Sequence, residues 1–220
     1  MNLTDKGSNN IIVDTGVLYQ GCNVIFEGSN NFLIVEPDAQ LINLKIWVRG
    51  SDNRISIGKG AIVKGVIELL RNGSEVSIGS GTTIGETAHF ITDDGSKIAI
   101  GSDCMFADRV ILRGTDGHPL WDLDTGERLN SSEDIVVEDY VWIAQDVSVL
   151  KGVNVGRGSV IGKNAVVTKD IPHTVSAAGV PAKVVSTNVT WSRTVNPKSL
   201  FKDKVAMKYV GHLLKGSVDQ

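Results

Sequence analysis

Disulfide frameworks, metal clusters and basic nucleic-acid surfaces all lack their raw material in this sequence. Only two cysteines occur in 220 residues, Cys22 and Cys104, far apart and outside any CxxC or Cys/His metal spacing. That excludes a disulfide scaffold, suits a reducing compartment and gives no reason to expect a metal. Lysine and arginine total 22 against 25 acids, a formal net charge of -3. Wholesale binding to phosphate backbones therefore has no support, and anionic ligands must be met by local groups. No apolar run approaches a membrane span, and the opening MNLTDKGSNN has no apolar signal core. The chain reads as soluble and cytoplasmic. Helix formers do not dominate either; Val, Ile, Gly, Ser, Asn and Asp recur throughout, the mixture of short strands separated by turns. With 41% apolar residues at this length, one sizeable all-β unit is expected.

An internal repeat sets the architecture. IIVDTG, LIVEPD, ISIGKG, VSIGSG and IAIGSD begin at residues 11, 33, 55, 76 and 98, a spacing of 21 or 22. Within each repeat apolar residues fall six apart: Val13, Tyr19 and Ile25; Val35, Leu41 and Trp47; Ile57, Val63 and Leu69; Ile78, Ile84 and Phe90; Ile100, Phe106 and Leu112. The ladder restarts at Val137 and runs through Ile143, Val149, Val155, Ile161 and Val167. At 41% apolar content, chance fills all these positions about once in 10⁸ trials before a discount for choosing the register. A six-residue unit holds one short strand and a turn, and three units make a coil whose inward side chains stack on the next. The spacing predicts a three-sided solenoid of seven coils from Val13 to about Pro172, with one corner longer than the others. Ala61, Thr82, Cys104, Val141, Ser159 and Ala165 lie four after ladder residues and suit tight inner corners.

The ladder breaks twice. Residues 113–134 form a polar insertion, and long excursions from a regular scaffold are usually functional. After Pro181 the pattern changes: Asn196 and Pro197 resemble an N-cap and first helical residue, and Phe201, Val205, Tyr209 and Leu213 form one apolar stripe. A solenoid over 1–186 with its loop, and a tail over 187–220 carrying a helix that docks on the solenoid or a neighbouring copy, are expected.

The insertion carries RGTDGHPLWDLDTGERLN, with His118 between a glycine and a proline. Imidazole has an ordinary pKa near 6.5, so it accepts a proton from an alcohol at neutral pH. A loop histidine is by default a surface residue, and the setting alone does not make it a base. Trp142 precedes ladder residue Ile143 and is expected to point outward. Arg109, Arg113 and Arg128 offer guanidinium groups to carboxylates, or to ordinary surface ion pairs.

VVEDYVWIAQDVSVLKGVNVGRGSVIGKNAVVTKDIPHTVSAAGVPAKVV at 136–185 resembles the galactoside and maltose acetyltransferases of the hexapeptide-repeat family. CMFA and TDGHPLWDLDTGERLN look closer to its members that O-acetylate sialic-acid-containing capsular polysaccharides. The resemblance covers roughly Asn9 to Arg193. It implies an all-β left-handed parallel β-helix, acetyl-CoA as acetyl donor, and an acceptor hydroxyl on a capsular or other cell-surface polysaccharide. It implies that His118 is the catalytic base and that Trp142 lies beside it at the acetyl end of the donor. It further places Gln145 and Lys163 along the pantetheine, Thr168 and Lys169 near the nucleotide, and Lys183 in a usual basic position. Asp94 resembles an acidic corner that contacts the acceptor, and Asp116 is a second acceptor candidate, although an aspartate at a turn is commonly there for the turn. A homotrimer, with each site between neighbouring copies, follows from the same resemblance.

Other functions fit this fold class. A carbonic-anhydrase-like zinc enzyme needs three converging histidines, and only His89 and His118 lie in suitable coils. A non-catalytic solenoid has regular outer faces and no insertion. A small sugar or the amine of a nucleotide sugar keeps the chemistry and changes the acceptor, and no Gly-rich nucleotide-binding turn precedes the repeats.

Overall fold

The computed structural model describes residues 1–194 and 200–214. Parallel strands wind into a three-sided β-helix of about eight turns. One turn more than the ladder count appears because Asn2–Asp5 already pairs with Asn23–Phe26, and Ile171 bridges Val155 at the far end.

The open face stacks seven strands: Ile11–Asp14, Phe32–Val35, Arg54–Ile57, Glu75–Ile78, Lys97–Ile100, Ile135–Val137 and Asn154–Val155. The tail face, which the C-terminal segment covers, includes Thr83–Ile84, Met105–Phe106, Trp142–Ile143 and Val160–Ile161. The loop face includes His89–Thr92, Ile111–Arg113, Ser148–Leu150 and Val166–Val167, and the insertion leaves from its end. Gln40–Val48 and Ile62–Leu69 run on through the corner between these last two faces and join them into one sheet.

Inward ladder residues from Val35 onward are buried, with the exception of Trp47. Val13, Ile25 and Trp47 correct the expected register. Val13 pairs with Ile34 and Ile25 with Trp47, both outward, while Val24, Phe26, Ile46 and Val48 fill the core. Side chains alternate along a strand, so one residue of extra corner length moves a ladder member to the other surface. Trp47 instead lies between Lys45, 4.1 Å from its ring centroid, and Arg49 at 3.8 Å.

The corners explain the polar repeats. Asn9, Asn30, Asp52, Gly73 and Gly95 all take positive φ at the long corner between loop and open faces, a conformation that Asn, Asp and Gly accept most readily. Beside them runs an internal asparagine ladder. Asn31 Oδ1 accepts from the Asn53 backbone N–H at 2.9 Å, and Asn53 Oδ1 from that of Ser74 at 2.8 Å. Each buried amide thus closes one turn onto the next. At a tight corner, Thr82 donates to the Gly101 carbonyl at 2.7 Å and accepts from the Cys104 N–H at 3.0 Å, so its hydroxyl is satisfied inside the solenoid.

The end of the chain returns over the tail face. Lys183–Thr187 pairs antiparallel with Val175–Ala178. Beyond it, Trp191 and Arg193 dock on the coils, and helix Lys204–Val210 follows. Its N-cap is Asp203, whose carboxylate accepts from the Val205 and Ala206 N–H groups, each at 3.0 Å. The expected cap at Asn196 and Pro197 lies outside the described residues. The expected stripe is also rotated: Ala206, Tyr209 and Val210 are buried, Val205 packs beside them, and Phe201 and Leu213 are exposed. Burial here is set by the outward aromatic rings of Tyr140 and Trp142, which the four-residue spacing does not register.

Candidate active site

The insertion swells the same long corner that carries the asparagine ladder. Gly114 N–H donates to the Ile91 carbonyl at 2.9 Å, and Glu133 N–H returns to the Gly114 carbonyl at 3.0 Å, fixing the base of the loop. Between them the chain forms a hairpin. Trp121 and Arg128 bridge antiparallel, and the Asp122 carboxylate accepts from Asp124 and Thr125 N–H, each at 2.8 Å.

His118 sits on this loop with an exposed side chain, while its backbone is pinned. Its carbonyl accepts from Asn130 Nδ2 at 2.9 Å. The same amide reaches Asp116 at 2.8 Å, and the Asn130 carbonyl oxygen takes the Leu120 N–H at 2.6 Å. Lys151, from the coil above, holds the loop by donating to Asp116 at 2.6 Å and to the Ser131 carbonyl at 2.9 Å. The Lys151 hydrogen bond, with help from Asn130, holds the Asp116 carboxyl below the usual carboxylate range. Lys151 and Asn130 were not singled out in the sequence, because their roles come from contacts 35 and 14 residues away from Asp116; the corner position of Lys151 after Leu150 was the available signal.

Asp94 faces the loop from below. Its carboxylate meets Arg71 at 3.3 Å and Arg128 at 3.4 Å. Asp93 is buried and meets Arg71 at 2.5 Å. Burial raises its carboxyl above the ordinary range, against the pull of Arg71. Arg128 Nε is buried without a partner among the described residues.

His118, Asp94 and Asp116 therefore lie at one corner, around the insertion. Thr168 and Lys169 are exposed where the loop face ends at the top of the solenoid, after Val166–Val167. Gln145 and Lys163 lie on a different corner, between tail and loop faces. There Asp146 takes a bidentate contact from Arg109, at 2.6 and 3.0 Å, and meets Lys163 at 3.9 Å. The Arg109 bonds hold the Asp146 carboxyl below its ordinary value. Trp142 points outward on the tail face, as expected from its place before Ile143, and its ring lies 6.2 Å from that of Trp191. Lys183 is exposed on the terminal hairpin. Within one chain, then, His118 and Trp142 stand on different sides of the solenoid.

A three-sided parallel β-helix built on six-residue units is the architecture of the hexapeptide-repeat acyltransferases. No family model matches the sequence, but known proteins do. The chain is 46% identical over 155 residues to a polysialic acid O-acetyltransferase of Escherichia coli O1:K1 / APEC. That match covers 70% of this chain and spans 50%, about half, of the relative. It is 34% identical over 202 residues to the polysialic acid O-acetyltransferase of Neisseria meningitidis, covering 91% of this chain and 94% of that protein. The crystal structure of the polySia specific acetyltransferase NeuO superposes with a TM-score of 0.93 at 41% identity, over 96% of this chain and 98% of the other. The chain belongs to the polysialic acid O-acetyltransferase family.

Proposed function

We propose that this protein transfers the acetyl group of acetyl-CoA to a hydroxyl of polysialic acid or a closely related sialic-acid-containing surface polysaccharide. The acceptor oxygen attacks the acetyl carbonyl carbon while His118 removes its proton. The tetrahedral oxyanion collapses, the carbon–sulfur bond breaks, and the proton on His118 passes to the departing thiolate. No acetyl-enzyme is needed. The observation that carries this reading is the exposed imidazole on a loop whose backbone is fixed by Asn130 and Lys151. A base must be held in place and yet open to a bulky polymer.

Each sialic acid residue brings a carboxylate, and Arg113 and Arg128 on the same loop suit it. Asp116 acts by anchoring the loop through Lys151, and Asp94 by orienting Arg128. The donor is long, narrow and anionic at its nucleotide end. Trp142 is assigned to its acetyl end, Gln145 and Lys163 to the pantetheine, and Thr168, Lys169 and Lys183 to the nucleotide. Exposed ammonium groups at 169 and 183 fit its phosphates. His118 and Trp142 of one chain are on different sides of the solenoid, so a site using both is completed by a second copy, in a homotrimer. Among the described residues no helix is long and apolar enough to cross a membrane, and we place the reaction in the cytoplasm with its donor.

The test is His118→Ala assayed with acetyl-CoA and polysialic acid. Turnover is expected to fall by about 10²-fold or more, while acetyl-CoA binding measured by calorimetry persists. Near wild-type turnover in this variant overturns the mechanism.

A further inference from the structure

On the tail face, Trp142 lies in register between Met105 and Val160 of the neighbouring strands, and its side chain points away from the core. The solenoid flanks this indole with Met105 and Val160 and leaves its outer side to the C-terminal segment. Trp191 of that segment lies against it, with ring centroids 6.2 Å apart. Trp191 is buried, at 6% exposure, and its ring is tilted by 45° against that of Trp142.

Trp191 is itself held from several directions. Its Nε1 donates to the Tyr140 carbonyl at 2.9 Å, and the Tyr140 hydroxyl donates back to the Trp191 carbonyl at 2.9 Å. The two rings stack at 4.5 Å, and Tyr209 of the helix stacks on Tyr140 at 5.2 Å. Two residues on, Arg193 donates to Thr83 Oγ1 at 3.0 Å and to the carbonyls of Gly81, Asp103 and Cys104 at 3.2, 3.2 and 2.6 Å. Tyr140 adds a further sign. It takes φ 57° at a corner where Gly81, Asp103 and Gly158 take φ 67°, 55° and 71° in neighbouring turns. A bulky aromatic residue is disfavoured there, and its ring is fully buried beneath the tail.

We propose that Trp191 is a positioning residue for the donor site: clasped by Tyr140 and latched by Arg193, it sets the plane of the Trp142 indole against which the acetyl end of acetyl-CoA rests. The C-terminal segment is thereby part of the donor-binding machinery. This inference rests on the assignment of Trp142 to the donor.

The test uses the full chain labelled with 5-fluorotryptophan, its four signals assigned by single Trp→Phe variants. In the unsubstituted protein, acetyl-CoA is expected to shift the Trp142 signal. In Trp191→Ala, the KM for acetyl-CoA is expected to rise about tenfold, the upper end of what an aromatic contact contributes, with kcat nearly unchanged and the Trp142 signal displaced without ligand. Trp191→Phe, which keeps a ring, is expected to restore most of the affinity. Should Trp191→Ala not fold, Tyr140→Phe, lacking only the hydroxyl bond to the Trp191 carbonyl, is expected to raise the same KM by a smaller factor. Folded Trp191→Ala with unchanged KM and an unchanged Trp142 signal overturns the inference while leaving the donor assignment intact. A Trp142 signal indifferent to acetyl-CoA in the unsubstituted protein overturns both.

Discussion

Asp116 and Lys151 decide how firmly His118 is presented. Because Lys151 lowers the Asp116 pKa, the stabilisation from this carboxylate is fully present above the ordinary carboxylate range and is lost as pH falls through the depressed value. Lys151→Met is expected to return the Asp116 midpoint toward about 3.9, an upward move readable by carboxyl-carbon NMR. Turnover is expected to fall several-fold while acetyl-CoA affinity stays. An unmoved midpoint contradicts the assigned anchor. At this scale, the loop around His118 was legible as a break in the ladder, while the reading of His118 as a base came from the family resemblance and not from the local residues. Its anchors were not legible. Asp94 and Asp116 looked like acceptor ligands, and the structure adds that their carboxylates already meet Arg71, Arg128 and Lys151; partners far along the chain cannot be read from a turn signature.

Six-residue units repeat because each coil buries the same three inward positions, so the strands and tight corners were visible as spacing. The asparagine ladder was visible only as turn-forming residues, although its amides face inward and carry hydrogen bonds between turns. Asn53 is 2% exposed, and Asn53→Ala leaves the buried Ser74 N–H without its acceptor. That is expected to cost about 1–3 kcal/mol, measured by urea unfolding against the unsubstituted chain. A loss below the precision of that measurement contradicts a structural role. Val13, Ile25 and Trp47 mark where spacing failed: coils of 21 and 22 residues differ by one position, and one position inverts a strand. The helix stripe held at Val205 and Tyr209, which pack with Tyr140, and failed at Phe201 and Leu213, which lie outside the α-helix Lys204–Val210 and are exposed.

For the molecule as a whole, the loop presents Leu120, Trp121, Leu123 and Leu129, all more than half exposed, with Leu123 at 98%. Four large apolar side chains on one projecting hairpin are costly in water and suit a contact with another copy. Light scattering is expected to give three times 23.5 kDa. Replacing Trp121 and Leu123 together by serine is expected to lower both that mass and the transferase rate. A fully active monomer contradicts the shared site. The central claim, transfer of acetyl to a polysaccharide hydroxyl, is tested most directly by proton and carbon NMR of polysialic acid after incubation with the protein and acetyl-CoA. New O-acetyl signals, with downfield shifts at the acylated sugar carbons and none in the His118→Ala reaction, are the expected result; a polymer spectrum unchanged after acetyl-CoA turnover would contradict it.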